Sequence, residues 1–232
     1  MRQIVLDTET TGLEWRNGNR VVEIGCVELM ERRPTGRTFH TYLNPKREFE
    51  PGAQEVTGLT LDFLADKPEF HERVDEFLAF IDGAVLVIHN AAFDVGFLDY
   101  ELSLLGPHYG RIHERATVED SLLLARQKFP GQRNTLDALC RRMGVDNSHR
   151  TLHGALLDAQ LLAEAYLAMT SGQGEIGFAA EESAAHAGGQ VRKSRTEGIP
   201  RPRVLPSAAD LVAHAERIAK IVAKSGRALW PA

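Results

Sequence analysis

Residues 84–88, Ala-Val-Leu-Val-Ile, form an apolar run with no polar interruption, closed by Asp82-Gly83 on one side and His89-Asn90 on the other. The run is too short for an ordinary helix, and a strand that is apolar at every position has both faces in the core. The chain must therefore lay cover on both sides of a sheet, and its sequence has the material. Pro68–Ile81 places Phe70, Val74, Phe77, Leu78 and Ile81 at helical spacing ahead of Gly83, and residues 92–105 carry Phe93, Phe97, Leu98, Leu102 and Leu105 on one face before Gly106-Pro107. Leu122–Phe129 and Leu136–Met143 read as shorter helices, and Leu156, Leu157, Leu161, Leu162, Ala165 and Leu167 mark a last one. Upstream, Ile4–Leu6, Val21–Met30 and Thr38–Leu43 have strand composition, with a turn expected at Pro34-Thr35-Gly36. Strands first and then a strand–helix alternation predict an α/β fold, a mixed sheet flanked by helices.

After Ser171 the composition changes. Residues 173–206 are rich in Gly, Ala, Glu and Pro and poor in large apolar side chains, too poor to offset the entropy of ordering. The expected organisation is a domain over 1–172, a flexible linker over 173–206 and a terminal segment over 207–232. In that segment Leu211, Val212, Ala215, Ile218 and Val222 restore helical periodicity. An isolated helix of this length is marginal in water, so it is expected to dock on a partner.

Charge constrains function. Residues 1–172 hold 18 Lys and Arg against 26 Asp and Glu, while residues 173–232 hold 9 against 6. An acidic body excludes nucleic-acid binding through a broad basic face, so any phosphate must be attracted by something else. No apolar run approaches the length needed to span a bilayer, and the opening MRQIVLDTET lacks a basic-then-apolar leader. Cys26 and Cys140 fall in a strand and a helix, which argues against a disulfide framework and for a reducing compartment, the cytoplasm.

Acidic residues recur where elements begin or end. Asp7 and Glu9, two apart at the end of an apolar run, share one face of a strand. Two carboxylates so close repel unless a cation lies between them, and hard oxygen donors select Mg²⁺ or Mn²⁺. Asp94 closes His89-Asn90-Ala91-Ala92-Phe93-Asp94, in the first turn of the helix that follows the buried strand. Asp158 lies among Leu157, Leu161 and Leu162, where an unpartnered carboxylate is costly. His153, five positions earlier, is expected on the preceding loop, free to reach the same site. Each residue alone has a bland explanation: solvated strand ends carry acids, the helix dipole favours an early Asp, and most histidines are not catalytic. Together they supply oxygen ligands for two ions and a base, which is what two-metal phosphodiester hydrolysis needs.

The Asp7-x-Glu9 strand, the His-Asn-x-x-Phe-Asp element and the His153-x-Ala155-x-x-Asp158 element resemble the DEDD exonuclease superfamily in its histidine branch. The tyrosine branch carries its aromatic residue four before the last aspartate, which here is Gly154. Within the superfamily the chain is most similar to the epsilon, or proofreading, subunits of bacterial DNA polymerase III, through Ile4–Gly12, Val87–Glu101, Asn134–Cys140 and Asp146–Thr170.

The resemblance implies a ribonuclease H-like sheet of five strands, the fifth near Ala116–Asp120, and 3′→5′ excision from a single-stranded DNA 3′ end. It implies that Asp7, Glu9, Asp94 and Asp158 hold two Mg²⁺ or Mn²⁺ ions and that His153 takes a proton from the attacking water. Thr10, Gly12, Leu13, Thr57, Asn90 and Phe93, with Asp7, Glu9 and Asp158, would meet the terminal nucleotide. Thr57 stands where many epsilon subunits have histidine, which puts any base contact of that histidine in doubt. Gln173, Ile176 and Phe178 resemble an internal sliding-clamp motif, and the terminal segment with Leu229 and Trp230 resembles the part that binds the polymerase alpha subunit. A small accessory subunit on the exonuclease domain is a further implied partner. A free-standing nuclease of RNA or DNA 3′ ends would share all five site residues. A non-catalytic polymerase scaffold is the reading from a different class.

Overall fold

In the computed structural model, which describes residues 1–150, 152–171 and 206–226, the buried run is the strand Val85–Ile88, fourth in sequence order and next to the middle of the sheet. We number the elements β1 (Arg2–Thr10), β2 (Val21–Met30), β3 (Arg33–Tyr42), α1 (Ala53–Thr57), α2 (Leu61–Leu64), α3 (Phe70–Ile81), β4 (Val85–Ile88), α4 (Ala91–Leu105), β5 (Thr117–Asp120), α5 (Ser121–Lys128), α6 (Leu136–Met143), α7 (Ala155–Thr170) and α8 (Ala208–Ser225). The five strands lie in the order β3-β2-β1-β4-β5, antiparallel from β1 through β3 and parallel from β1 through β5. This is the mixed, helix-flanked sheet expected from the sequence.

Alternation along β1 divides the core between the two sides of the sheet. Ile4 and Leu6 join Phe77 and Ile81 of α3 and Phe97, Leu98 and Leu102 of α4 in one buried cluster. Val5 and Val87 join Leu139 of α6 and Ala159, Leu162 and Tyr166 of α7 in the other. Asp7 and Glu9 follow the parity of Val5, so the strand aims both at the side that α7 covers.

The turn expected at Pro34-Thr35-Gly36 is absent. The chain reverses instead at Glu31-Arg32, both with positive φ (48° and 63°). Pro34 pairs with Leu29 inside β3, next to a register shift between Val27 and Leu29. β3 is an edge strand, where proline costs no ladder bond and Gly36 can take its φ of 82°. The short helices α1 and α2 were not anticipated by the spacing of apolar residues. Gly52 and Gly58, both left-handed, bracket α1.

Asp120 ties the helix starts to the sheet. Its carboxylate accepts from the backbone N–H of Leu122 and Leu123 as the α5 cap, and from Asn90 and Ala91 where α4 begins. One side chain therefore satisfies donors at two helix N-termini.

The chain divides into two compact units, Met1–Ile176 and Gly177–Ala232, and α8 belongs to the second. Ser207 and Asp210 close a capping box at its start. Gln173, Ile176, Phe178, Leu229 and Trp230 lie outside the described residues. No helix among the described residues is long and apolar enough to cross a membrane.

Candidate active site

The pairing of β1 with β4 ends at Leu6 and Ile88, so two parallel strands finish side by side. Ligand sites in such sheets form beyond the carboxyl ends of the strands. Here a cleft of about 1180 Å³ opens there, and every predicted metal, base and nucleotide residue of the domain lines it: Asp7, Glu9, Thr10, Gly12, Leu13, Thr57, Asn90, Phe93, Asp94, His153 and Asp158.

Three elements deliver the acids. β1 carries Asp7 and Glu9. α4 starts just past β4 and turns Asp94, 3% exposed, back over β1, where Thr8 anchors it. The Thr8 backbone N–H and hydroxyl donate to Asp94 Oδ1 at 3.0 and 2.7 Å. α7 brings Asp158, also 3% exposed, in its first turn. It can come this close because of Gly25, which sits opposite Asp7 in the β1–β2 register. A Cβ there would strike the backbone of Ala155 and Leu156. Sequence reasoning missed Gly25, although a glycine inside an apolar strand signals close backbone approach.

His153 lies on the loop just before α7, as expected, with its Nδ1 3.9 Å from Asp158 Oδ2. Its backbone N–H donates to the Val56 carbonyl of α1, and Leu152 packs so tightly over Gly58 that a Cβ there would meet its Cδ1. The histidine loop is thus held by the opposite rim of the cleft. Thr57 is committed internally: its hydroxyl donates to Ala53 O and accepts from Leu59 N.

The Thr10–Leu13 segment is fixed by a buried amide. Asn19 Nδ2 donates to Glu50 Oε1 at 2.7 Å and to Glu14 O, while its Oδ1 accepts from Thr11. Gly12 lies directly against Glu50 and Asn19 with no room for a side chain, and Leu13 stands out at the rim, 78% exposed. On the other side Phe93 packs at a tilt against Phe97, ring centroids 4.9 Å apart, and presents an aromatic wall.

Burial and crowding of charge act on three of the acids in the cleft. Burial, then the charges of Asp158, Glu23 and Asp94, pushes Glu9 from 4.5 up to about 8. Burial lifts Asp94 from 3.8 to about 7 against the lowering pull of its Thr8 hydrogen bonds. Asp7 is raised well above its ordinary 3.8 by burial, then by Asp94, Glu9 and Asp158. His153 is lowered by burial and by the Arg150 charge, so near neutral pH its imidazole is free to accept a proton.

Buried oxygens that resist ionisation are what a divalent cation relieves. Among the described residues one trio, Glu9, His153 and Asp158, offers ligand atoms that all lie within 4.8 Å of one another. With Asp7 and Asp94 adjoining, the donor set is mainly carboxylate oxygen and fits Mg²⁺ or Mn²⁺.

The raised carboxylates set a sign for stability. Glu9 retains its proton in the folded chain up to about pH 8, whereas the unfolded chain releases it near 4.5. Over that window the native state binds more protons, so metal-free stability falls as pH rises, opposed only weakly by the half-exposed His153. In chelator, the melting temperature is expected to drop by about 5 °C or more between pH 5.5 and 8.5, and Mn²⁺ at pH 8.5 is expected to restore it. A flat profile in chelator would mean that the carboxylates ionise freely.

Known proteins resemble the chain at two levels. The model of the RNase_T family, described as Exonuclease, matches residues 4–166. The DNA polymerase III subunit epsilon of Salmonella typhimurium is 51% identical over 237 residues, covering 100% of this chain and 98% of that protein. The Escherichia coli subunit of the same name is 49% identical with the same coverage. Among solved structures, Exonuclease X in complex with 5′ overhanging duplex DNA matches at TM-score 0.56 and 22% identity, over 72% of this chain and 90% of the other. Exonuclease I matches at TM-score 0.62 and 18% identity, over 74% and 41%. At these identities the structures speak for the fold alone.

Proposed function

We propose, from the premise that this chain belongs to the RNase_T exonuclease family and within it to the DNA polymerase III epsilon subunits, that its acidic cleft is the proofreading site. The protein is a divalent-metal-dependent 3′→5′ exonuclease. Asp7, Glu9, Asp94 and Asp158 would hold two ions, Mg²⁺ or Mn²⁺. When bound, the ions supply the positive charge that draws the phosphate to an acidic surface and offset the charge that develops as the phosphodiester breaks. The observation that carries this assignment is the convergence of four carboxylates from β1, α4 and α7 on one cleft beside His153.

His153 accepts the proton of the water that attacks the terminal phosphodiester, and the 3′-oxygen of the penultimate nucleotide leaves. The product is a nucleoside 5′-monophosphate. Thr8 keeps one oxygen of Asp94 occupied and so fixes the direction of the other. Leu13 and Phe93 flank the terminal base from opposite rims, and Thr10, Gly12 and Asn90 line its sugar-phosphate. Thr57 supports the α1 rim, since its hydroxyl is already spent.

Around the site we propose an exonuclease domain over 1–172, a linker over 173–206 that carries a clamp-binding Gln173, Ile176 and Phe178, and a segment over 207–232 with Leu229 and Trp230 that binds the polymerase alpha subunit. A small accessory subunit would sit on the domain. The proposed compartment is the cytoplasm, in keeping with Cys26 and Cys140, both free and buried.

Single-stranded DNA and RNA oligomers of one sequence test the substrate. DNA is expected to be degraded from its 3′ hydroxyl end with release of deoxynucleoside 5′-monophosphates. A strong RNA preference would favour the free-standing nuclease instead. Deleting residues 207–232 is expected to spare this hydrolysis and abolish association with the polymerase subunit. Loss of both would put the tail inside the catalytic fold.

A further inference from the structure

The loop between α6 and α7 inserts one permanent cation among the acids. The Arg150 side chain is 8% exposed, and its Nε and Nη2 donate to Asp158 Oδ1 and Oδ2 at 2.5 and 2.7 Å. Its remaining nitrogen, Nη1, donates to Asp137 Oδ1 at 3.0 Å. Asp137, on α6, is half exposed, and its Oδ1 also accepts from Asn147. The guanidinium fork therefore takes both oxygens of the carboxylate that completes the trio with Glu9 and His153.

A divalent ion and a guanidinium on one carboxylate repel each other strongly in a buried site. Arginine cannot escape by losing its proton. It can escape only by moving, and its second anchor lets it move without being released into solvent. We propose that Arg150 is an internal counter-ion: it occupies Asp158 in the metal-free protein and yields it to the incoming divalent cation while staying tethered to Asp137. The contact gives Asp158 a partner before any metal arrives. The inference rests on the reading of Asp158 as a metal ligand.

A fixed support and a displaceable competitor predict opposite signs. Mn²⁺ binding to the full chain, measured by calorimetry without substrate, is expected to be about tenfold tighter in Arg150→Gln, since a competing charge-assisted contact is gone. Arg150→Lys keeps the charge but not the fork, and is expected to tighten binding several-fold. In chelator Arg150→Gln is expected to melt below wild type, so that the rise on adding Mn²⁺ becomes larger. Weaker or unchanged Mn²⁺ binding in Arg150→Gln would overturn the proposal and make Arg150 a fixed support of Asp158. Tighter binding in Arg150→Gln with wild-type binding in Arg150→Lys would overturn it too, leaving only a long-range charge effect. If the glutamine variant does not fold, the lysine variant decides. Asp158→Asn separates the premise from the inference: unchanged Mn²⁺ affinity there would refute Asp158 as a ligand, whatever the arginine variants show.

Discussion

Asp7→Asn is expected to lower metal-dependent exonuclease turnover by about a thousandfold while raising the melting temperature of the protein in chelator. The two signs come from one cause. Asp7 is buried among Glu9, Asp94 and Asp158, and its ionised form is opposed first by burial and then by those charges. Without metal, an uncharged isostere removes the cost of either burying that charge or taking up a proton to neutralise it, and the fold gains. With metal, the same change would replace a charged carboxylate donor by a neutral amide, and transition-state stabilisation of several kcal/mol is expected to be lost, each 1.4 kcal/mol of it about tenfold in rate. Rate assays in Mn²⁺ and melting curves in chelator read both. Retained activity would remove Asp7 from the site. A lower melting temperature in chelator would show that its carboxylate supports the fold.

Gly25→Ala is expected to be the most damaging single methyl in the domain. The added Cβ would overlap the backbone of Ala155 and Leu156, which cannot rotate aside as a side chain could. α7 must shift away from β2, at a cost of about 3 kcal/mol for overpacking a tight contact. Asp158 moves with α7, and a displacement on the order of 1 Å in a catalytic group costs roughly a hundredfold in rate. Gly154→Ala is the control: its φ of −155° is open to any residue, and a Cβ there meets nothing within 4 Å. Denaturant melts and turnover for the pair test the idea. Wild-type behaviour of Gly25→Ala would mean that α7 is not seated by that contact.

These two sites differ in how far the sequence revealed them. The placement of Asp7, Glu9, Asp94 and Asp158 at the cleft was legible because local rules set it: a period of two on a strand, a first helical turn after a buried strand, an acid on an apolar helix face. Gly25, Thr8 and Arg150 were not, because each acts through a contact made only after distant segments meet. Thr8 anchors Asp94 across 86 residues. The buried strand β4 announced the two-sided sheet, and the helix expected over Leu136–Met143 is α6, which the structure shows capped by Thr135 and Gly144. The β2–β3 reversal was misread because Pro34 and Gly36 carry turn chemistry that the edge strand uses instead for a bulge. Hairpin register depends on cross-strand pairing, which a single strand does not encode. The α1 and α2 turns escaped for a related reason: five and four residues are too few to show a helical period.

The position of the divalent ions decides whether the acidic cleft is the catalytic site. Crystals grown with Mn²⁺ and a nucleoside 5′-monophosphate would give the answer through anomalous scattering. Two peaks about 4 Å apart are predicted within reach of Asp7, Glu9, Asp94 and Asp158, with His153 facing the phosphate and Arg150 withdrawn from Asp158. A single peak, or peaks away from these four carboxylates, would contradict it.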